Sequence, residues 1–443
     1  MAVVLALGTA LRTLAVLASG PVSRFENDST DYLARARDLL PDGYHPLGYP
    51  LALRLTGGLG HPLLITLGQH ALGLGTGGLV LGVALRAGLP PWGAALAAAP
   101  QLLDAWVVVG EQFVLAETLT AALLVAAVAA ALRDRWALAG LLTAAATLTR
   151  TVALGVAAVL VVALLGARPG RRQVLSATAA LVVPLALYAG LFAARHGHPA
   201  LTERTGVFLY GRMAPIASCV SLAADERPLC DLRPPAARPQ GTFYLWHPDA
   251  PLKAVPGDVD SRTALAGRTG RAMLAGSPGA WARATLTDLA HYAWRAHTPG
   301  SHDQGTAAWL VDVRTSTLVP PADPRLADGH RETDHVSPGP TAVLRALQSH
   351  AGTPGWLLAV LLVLGAATAR RAGPSPARRT AAVAGAAGLA LLVVPSATVG
   401  WDVRFALPAL PLLGLAAASA AASAAAAVAG VRAGVRAGDR TAW

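Results

Sequence analysis

Long apolar runs alternate with short polar segments along most of the chain. A helix needs roughly 20 apolar residues to cross the hydrocarbon core of a bilayer. The runs approach that length, so the pattern predicts a bundle of about ten transmembrane helices. The two runs beside Arg150 are short, and they are not both expected to span a membrane fully. The predicted helices are 2–19, 61–86, 91–110, 114–132, 136–149, 151–167, 173–194, 355–369, 380–398 and 404–430.

Arginine is distributed unevenly between the two sides of this predicted bundle. In the ten-helix topology, every short arginine-rich segment falls on the same side. Short basic loops face the cytoplasm in most membrane proteins, so the C-terminus is expected there. The arginines concerned are Arg133, Arg135, Arg168, Arg171, Arg172, Arg370, Arg371, Arg378, Arg379, Arg432, Arg436 and Arg440.

Two longer polar segments fall on the opposite side. The segment 196–353 is rich in proline, glycine, histidine and aromatic residues and lacks a spanning run. Helical periodicity near 263–275 and 278–294 predicts a small domain there. The predicted fold is an all-α polytopic membrane helix bundle with a small mixed extracytoplasmic loop domain. Its parts are an N-terminal bundle (1–195) containing the first external loop (20–60), the loop domain (196–353), and C-terminal helices with a basic tail (354–443).

The composition supports a membrane protein. Hydrophobic residues make up 54% and charged residues 14% of the chain, whereas soluble domains carry about a quarter charged residues. The net charge is +11, but Lys253 is the only lysine and many arginines lie in the short loops, so nucleic-acid binding is not expected. The first run has no basic segment before it, which favours a retained helix over a signal peptide. Arg12 within it should face the bundle interior or a partner carboxylate.

The two cysteines, Cys219 and Cys230, both lie in the long polar segment. If that segment is extracytoplasmic, oxidising conditions favour a local disulfide, and the alternative is two free thiols. The histidines His291, His297 and His302 show no standard zinc spacing, so neither a metal nor a cofactor is expected.

The first external loop carries two acidic residues at helical spacing. Asp28 and Asp31 are three residues apart, so they share one face if the segment is helical. The amphipathic stretch 33–40 is suited to an interfacial helix, and prolines and glycine within 44–50 fold the chain back toward the next helix. The alternative is that Asp28 and Ser29 only cap a helix, and the spacing alone does not decide between the two.

Further charges lie at or inside apolar runs, where an ionised side chain is costly and often functional. Glu117 lies inside a run and needs a partner, whereas Glu111 is either part of the same group or only a loop charge. Arg150 lies between two runs, where it either reaches the head groups or binds a phosphate. Arg404 opens the last helix on the external side, where it either pairs with Asp402 or holds a lipid phosphate.

The order of these segments resembles the GT-C superfamily of membrane glycosyltransferases, which use polyprenyl-phosphate sugars and include protein O-mannosyltransferases and aminoarabinose transferases. Bacterial members carry an acidic motif followed by tyrosine in the first external loop, with two adjacent acids. Here Ser29 replaces the second acid. The similar segments are Asp28-Ser29-Thr30-Asp31-Tyr32, Pro46-Leu47-Gly48-Tyr49-Pro50, Glu117, Leu148-Thr149-Arg150, Arg404-Phe405-Ala406-Leu407-Pro408, and, for actinobacterial members, Leu209-Tyr210-Gly211-Arg212.

The resemblance implies sugar transfer from a polyprenyl-phosphate donor to an extracytoplasmic glycan, lipid or protein in a bacterial plasma membrane. It implies direct displacement, with Asp28 as general base and Asp31 assisting or substituting for it. Arg150 and Arg404 would hold the donor phosphate. The residues expected to orient the site are Glu117, Tyr49, His45 and Arg212.

Other functions use similar features. A polysaccharide polymerase or ligase also combines a large external loop with a lipid-linked substrate. A transporter or lipid flippase would use the same charges as a substrate path, although these charges gather at one face rather than at the midplane. An inactive scaffold also remains open because Ser29 replaces an acid.

Overall fold

The computed structural model is helical, and it describes residues 1–20, 22–23, 26–57, 59–293, 336–368 and 374–439, with only the backbone described at 26, 27 and 430–439. Within these residues no β-strand forms, and an isolated bridge joins Ser23 and Phe113. Short 3-10 turns lie at Thr151–Ala153, Arg227–Leu229 and Pro235–Ala237. The described α-helices are α1 (Ala2–Ser19), α2 (Glu26–Asp38), α3 (Gly48–Leu55), α4 (Pro62–Arg86), α5 (Pro91–Leu102), α6 (Ala105–Gly110), α7 (Glu117–Ala131), α8 (Trp136–Thr149), α9 (Leu154–Gly166), α10 (Arg171–His196), α11 (Thr205–Met213), α12 (Gly241–Trp246), α13 (Pro251–Ala254), α14 (Val259–Gly276), α15 (Pro278–His291), α16 (Pro338–His350), α17 (Gly355–Thr368), α18 (Pro376–Thr398), α19 (Val403–Ala406) and α20 (Leu410–Asp439).

Several helical segments are long and apolar enough to cross a membrane, which confirms the predicted polytopic helical class. Apolar side chains on their outer faces stay exposed, as at Val3 (71%) and Leu187 (70%), and lipid rather than water suits such a surface. Among the described residues, six segments qualify by length and composition: Ala2–Ser19, Pro62–Arg86, Arg171–His196, Pro338–Thr368, Pro376–Thr398 and Leu410–Ala429. Three apolar helices are shorter, namely Glu117–Ala131, Trp136–Thr149 and Thr151–Gly166.

The predicted single helix 91–110 is wrong, because the chain breaks it into α5 and α6. The Asp104 side chain caps α6 by accepting a hydrogen bond from the Trp106 backbone N–H at 2.9 Å. Its other oxygen accepts from the Thr353 N–H at 2.7 Å. A buried carboxylate that takes two backbone donors stabilises the helix end and the contact with the chain near α17.

The predicted helix 404–430 is also divided. Asp402 caps α19 by accepting from the Arg404 backbone N–H at 2.9 Å. Pro408 has no N–H, so it cannot donate the hydrogen bond that would continue that helix. The long helix α20 therefore begins only at Leu410, and the short α19 holds Arg404 at the end of the bundle.

The first external loop folds onto the bundle through α2 and α3. In α2, Tyr32, Leu33 and Ala36 are buried in the main hydrophobic core, so this helix packs on protein rather than lying free in the interface. In α3, a Cβ at Gly48 would lie 2.5 Å from the Leu148 carbonyl oxygen. Only glycine permits this close approach of α3 to α8, and the approach sets the loop beside Arg150.

The segment from 196 to 293 has a hydrophobic cluster of its own, centred on residues of α11, α12 and α14. Cys219 and Cys230 form a disulfide at the edge of this cluster, with their Cα atoms 5.9 Å apart. The described part contains helices and turns but no strand, so the mixed character expected of this domain is not confirmed there. Some of its prolines start helices, as Pro278 does in α15. His297 and His302 lie outside the described residues.

Arg12 is buried and paired, as predicted. Its guanidinium contacts Glu111 at 2.6 and 2.8 Å, and both side chains are at most 3% exposed. Glu111 also contacts His70 Nδ1 at 2.8 Å and accepts from Gln101 at 3.1 Å. The alternative that Glu111 is only a loop charge is therefore wrong. A buried charge needs such a set of partners, and this one joins α1, α4 and α5 to the end of α6.

Candidate functional site

The acidic residues of the first loop point to a shared histidine. Asp28 and Asp31 lie one helical turn apart on α2, on the face opposite the buried Leu33. The Asp31 carboxylate contacts His45 Nδ1 at 2.8 Å, and the Asp28 carboxylate lies 4.0 Å from His45 Nε2. The ring is packed between Tyr32 and Tyr44, at centroid distances of 4.3 and 4.1 Å. The imidazole is therefore hydrogen-bonded to Asp31 and lies close to Asp28 without a hydrogen bond to it.

The end of the bundle supplies a guanidinium to Asp28. Arg404 Nη1 lies 2.7 Å from Asp28 Oδ2, which joins two residues 376 positions apart in the chain. Arg404 Nε also lies 3.5 Å from the fully buried carboxylate of Asp402. The guanidinium of Arg404 therefore lies between two carboxylates. The predicted pairing with Asp402 is observed, and the binding of a lipid phosphate stays a prediction.

A second guanidinium lies beside the first. Arg150, at the end of α8, is paired with Glu117 at the start of α7. Its guanidinium carbon lies 5.8 Å from the centre of the Phe405 ring, and that of Arg404 lies 5.3 Å from the same ring. Two cations thus flank one aromatic face, an arrangement typical of cation–π contacts. The structure therefore brings together Asp28, Glu117, Arg150 and Arg404, four of the charges that the sequence marked.

The pairing controls the protonation of the two acids of α2. Burial raises the pKa of Asp28, but the adjacent Arg404 and His45 outweigh burial and leave this pKa below its ordinary value. Burial also raises the pKa of Asp31, whereas the contact with His45 lowers it, and the net pKa is again below the ordinary value. Burial and the nearby Asp31 raise the pKa of Asp42. Both Asp28 and Asp31 are therefore carboxylates at neutral pH.

Ser29 has a structural part in the loop. It is fully buried, and its hydroxyl donates to the Val114 carbonyl oxygen at 2.9 Å. An ionised acid at this position could not donate that bond and would be buried. Since α2 begins at Glu26, Asp28 and Ser29 lie inside the helix, and the alternative that they only cap it is wrong.

Two residues expected to orient the site, Tyr49 and Arg212, have polar contacts with Gln69 and Asp288 respectively. Tyr49 is 3% exposed and donates to Gln69 at 2.9 Å, and its ring packs against Tyr32 at 4.9 Å. Arg212, also buried, lies 2.9 Å from the Asp288 carboxylate and so links α11 to α15. These contacts do not test the predicted roles of Tyr49 and Arg212, which stay predictions.

Sequence reasoning missed an aromatic group that the loop domain brings to the site. The Tyr44 hydroxyl lies 3.4 Å from Asp28, and its ring meets Trp246 at 5.8 Å and Phe208 at 6.4 Å. The Arg204 guanidinium lies 5.5 Å from the Tyr44 ring. The aromatic content of 196–353 was a signal, but no local pattern could pair it with the first loop. Among the described residues, no group of three or more histidines, cysteines or acids is arranged to hold a metal ion.

Comparison with known proteins gives little beyond this geometry. No protein-family model and no curated protein matches the chain. Among solved structures, ArnT from Cupriavidus metallidurans bound to undecaprenyl phosphate matches over 96% of this chain and 77% of that chain. The sequence identity is 15% and the TM-score is 0.33. A likeness this weak carries no argument about function.

Proposed function

We propose that the protein is a membrane glycosyltransferase that moves a sugar from a polyprenyl-phosphate donor to an extracytoplasmic acceptor. The observation that supports this most is the 2.7 Å contact between Asp28 and Arg404, with Arg150 flanking the same Phe405 ring. A carboxylate able to take a proton and two guanidiniums able to hold a phosphate then lie together at the ends of apolar helices. The order of sequence motifs that resembles the GT-C superfamily supports the same reading.

The reaction is a direct displacement at the anomeric carbon. The Asp28 carboxylate takes the proton of the acceptor hydroxyl as its oxygen forms the new bond to that carbon. The bond between the anomeric carbon and the phosphate oxygen breaks, and its electron pair leaves with the polyprenyl phosphate. Arg150 and Arg404 stabilise the charge that develops on the leaving phosphate.

Because Asp28 contacts Arg404, a bound donor also affects the basicity of Asp28 in this scheme. While Arg404 is paired with Asp28, the pKa of that carboxylate is low and it is a weak base. A donor phosphate that draws Arg404 toward itself weakens this pairing and raises the basicity of Asp28. The base therefore becomes effective when the donor is bound, and His45 keeps Asp31 in position beside it.

The test is transfer of radiolabelled sugar from a panel of polyprenyl-phosphate sugars in membranes that contain the wild type or D28N. General-base help is worth roughly two to four orders of magnitude, so D28N should lose about that much rate. The matched control is D38N, because Asp38 lies on the same helix, is 42% exposed and pairs with Arg35. D38N should keep the wild-type rate.

Three results separate the possible outcomes. Transfer that survives in D28N but is lost in D31N would move the base to Asp31. A rate that falls equally in D28N and D38N would mean that the loss reflects damage to α2. Absence of transfer with every donor and acceptor class, from folded wild-type protein, would reject the enzyme and favour transport of a lipid-linked substrate.

A further inference from the structure

A cleft of about 700 Å³ opens at the far end of the bundle, between the ends of α4 and α7 and the start of α18. Helix α7 runs from Glu117 at the candidate site toward this cleft over 15 residues, or roughly 21 Å at 1.5 Å per residue. The cleft is therefore separate from that site. Among the residues that the structure describes, its lining contains no acidic residue and four arginines: Arg86, Arg133, Arg378 and Arg379.

A carboxylate from outside the lining pairs with one of the four arginines. Asp134 pairs with Arg379 at 2.6 Å, but that carboxylate lines an adjacent cleft instead. Burial and the neighbouring charges of Arg86 and Arg135 lower the pKa of Arg133, as expected for cations that repel one another. Helix α18 also points its N-terminus here, and the positive end of its dipole adds to the field. The surroundings therefore favour an anion.

Apart from Ser375 and Thr380, the remaining wall of the cleft is apolar. Val83, Ala129, Leu132 and Ala382 line it together with the arginines. The opening lies at the end of α4, which is long and apolar enough to span a membrane, and the ends of such helices are expected near the lipid head groups. A soluble anion gains nothing from contact with an apolar wall. A phospholipid, in contrast, places its phosphate on the cations and its acyl chains along such a wall.

We propose that this cleft binds the head group of an anionic phospholipid. The guanidiniums of Arg86 and Arg133 hold the phosphate, and Val83 and Leu132 contact the first part of an acyl chain. The site does not depend on the proposed transferase activity. It lies at the end of the bundle that the arginine pattern predicts to be cytoplasmic.

The test uses the purified full-length protein in detergent. It is mixed with phosphatidylglycerol or with phosphatidylcholine of the same acyl chains, and bound lipid is counted by native mass spectrometry. The variant R86Q/R133Q removes two exposed cations of the cleft. The matched control R227Q/R283Q removes two exposed cations of the loop domain and changes the net charge equally. A second variant, R86K/R133K, keeps the charge should the first one fold poorly.

The wild type should retain phosphatidylglycerol over phosphatidylcholine, and R86Q/R133Q should weaken that binding by about tenfold or more. R227Q/R283Q and R86K/R133K should keep the preference. Equal retention of the two lipids by the wild type would overturn the proposal. So would unchanged binding in R86Q/R133Q, or displacement of the lipid by millimolar inorganic phosphate, which would make the cleft a site for soluble anions.

Discussion

The side chain of Asp28 is held between groups that affect its proton affinity in opposite ways. Burial favours the protonated acid, while Arg404 and His45 favour the carboxylate, and the pKa lies below its ordinary value of 3.8. Folding thus lowers the proton affinity of this group. The ion pair then contributes to stability above pH 3.8, where the unfolded chain is also ionised, and that contribution is lost as the pH falls through the lower pKa of the folded state.

This sign leads to a pH prediction. The melting temperature of the wild type should fall as the pH is lowered from about 5 to 3, since Asp28 must be protonated against its pairing. D28N removes that proton-linked step, so its melting temperature should fall less over the same range. Differential scanning fluorimetry in a detergent that tolerates acid measures both curves. Parallel curves for wild type and D28N would contradict the assignment of the low pKa to Asp28.

At the level of single residues, the sequence predicted charges better than it predicted their neutral partners. Glu117 and Arg12 were marked because an ion inside an apolar run is costly, and each proved to be paired. The burial of Ser29 could not be predicted in this way, since placing a serine in an apolar segment costs little free energy. His70 was overlooked for a related reason: a histidine in an apolar run is usually neutral, and its contact with Glu111 is set by packing of distant helices.

At the scale of helices, the pair of Arg12 and Glu111 ties α1 to the end of α6 inside the bundle. Removing one partner of a buried ion pair leaves the other uncompensated and costs about 3–5 kcal/mol. E111Q should therefore lower the free energy of unfolding by an amount of this order, measured by thermal or denaturant unfolding in detergent. The control D225N breaks the exposed pair of Asp225 and Arg268 and should cost no more than about 1 kcal/mol.

A double variant distinguishes pairing from simple loss of polarity. R12L/E111L removes both charges. Its loss of unfolding free energy should therefore be smaller than the sum of the losses in R12L and E111L. If the two single losses add fully in the double variant, the two residues do not interact across the helices.

The close contact of α3 with α8 leads to a second prediction at this scale. G48A places a methyl group 2.5 Å from the Leu148 carbonyl oxygen, so α3 must move or the pair must separate, at a cost of about 1–3 kcal/mol. G68A adds the same methyl group in α4 where no atom lies within 4 Å and should leave the melting temperature unchanged within about one degree. Equal melting temperatures for G48A and G68A would show that α3 and α8 can move apart at Gly48 without loss of stability.

Helix existence could be predicted from hydrophobic periodicity, but helix interruptions were harder. Within 91–110 the apolar pattern continues through Asp104. Only the structure shows that the Asp104 carboxylate accepts hydrogen bonds from two backbone N–H groups at the break between two helices. Pro408 was visible in the sequence, yet prolines are common inside membrane helices, as Pro395 is in α18. Composition does not separate these two uses of proline, since neighbouring helices determine which one occurs.

At the scale of the whole molecule, the candidate site and the arginine-lined cleft occupy opposite ends of the bundle. The arginine pattern predicts that the cleft end is cytoplasmic. An impermeant maleimide should therefore label D249C in intact bacterial cells, because Asp249 is exposed in the loop domain. R135C should be labelled only after the membrane is permeabilised. Cys219 and Cys230 are bonded to each other, so they should contribute no background.

The reverse labelling pattern would invert the topology and place the site of Asp28 inside the cell. Labelling of both positions in intact cells would instead indicate a damaged membrane, which a cytoplasmic marker protein detects. A wild-type chain that reacts with the maleimide without reductant would contradict the disulfide.

The contact between Asp28 and Arg404 joins a residue that is translated early with one that is translated late. At about 5–20 residues per second, the 376 positions between them take roughly 20–75 s to translate. Throughout that time α2 has emerged without the guanidinium that pairs with it, and the carboxylates of the first loop remain hydrated. The site is therefore assembled last, and a nascent chain that stalls before α19 inserts most of its helices without acquiring the charge arrangement on which the proposed chemistry depends.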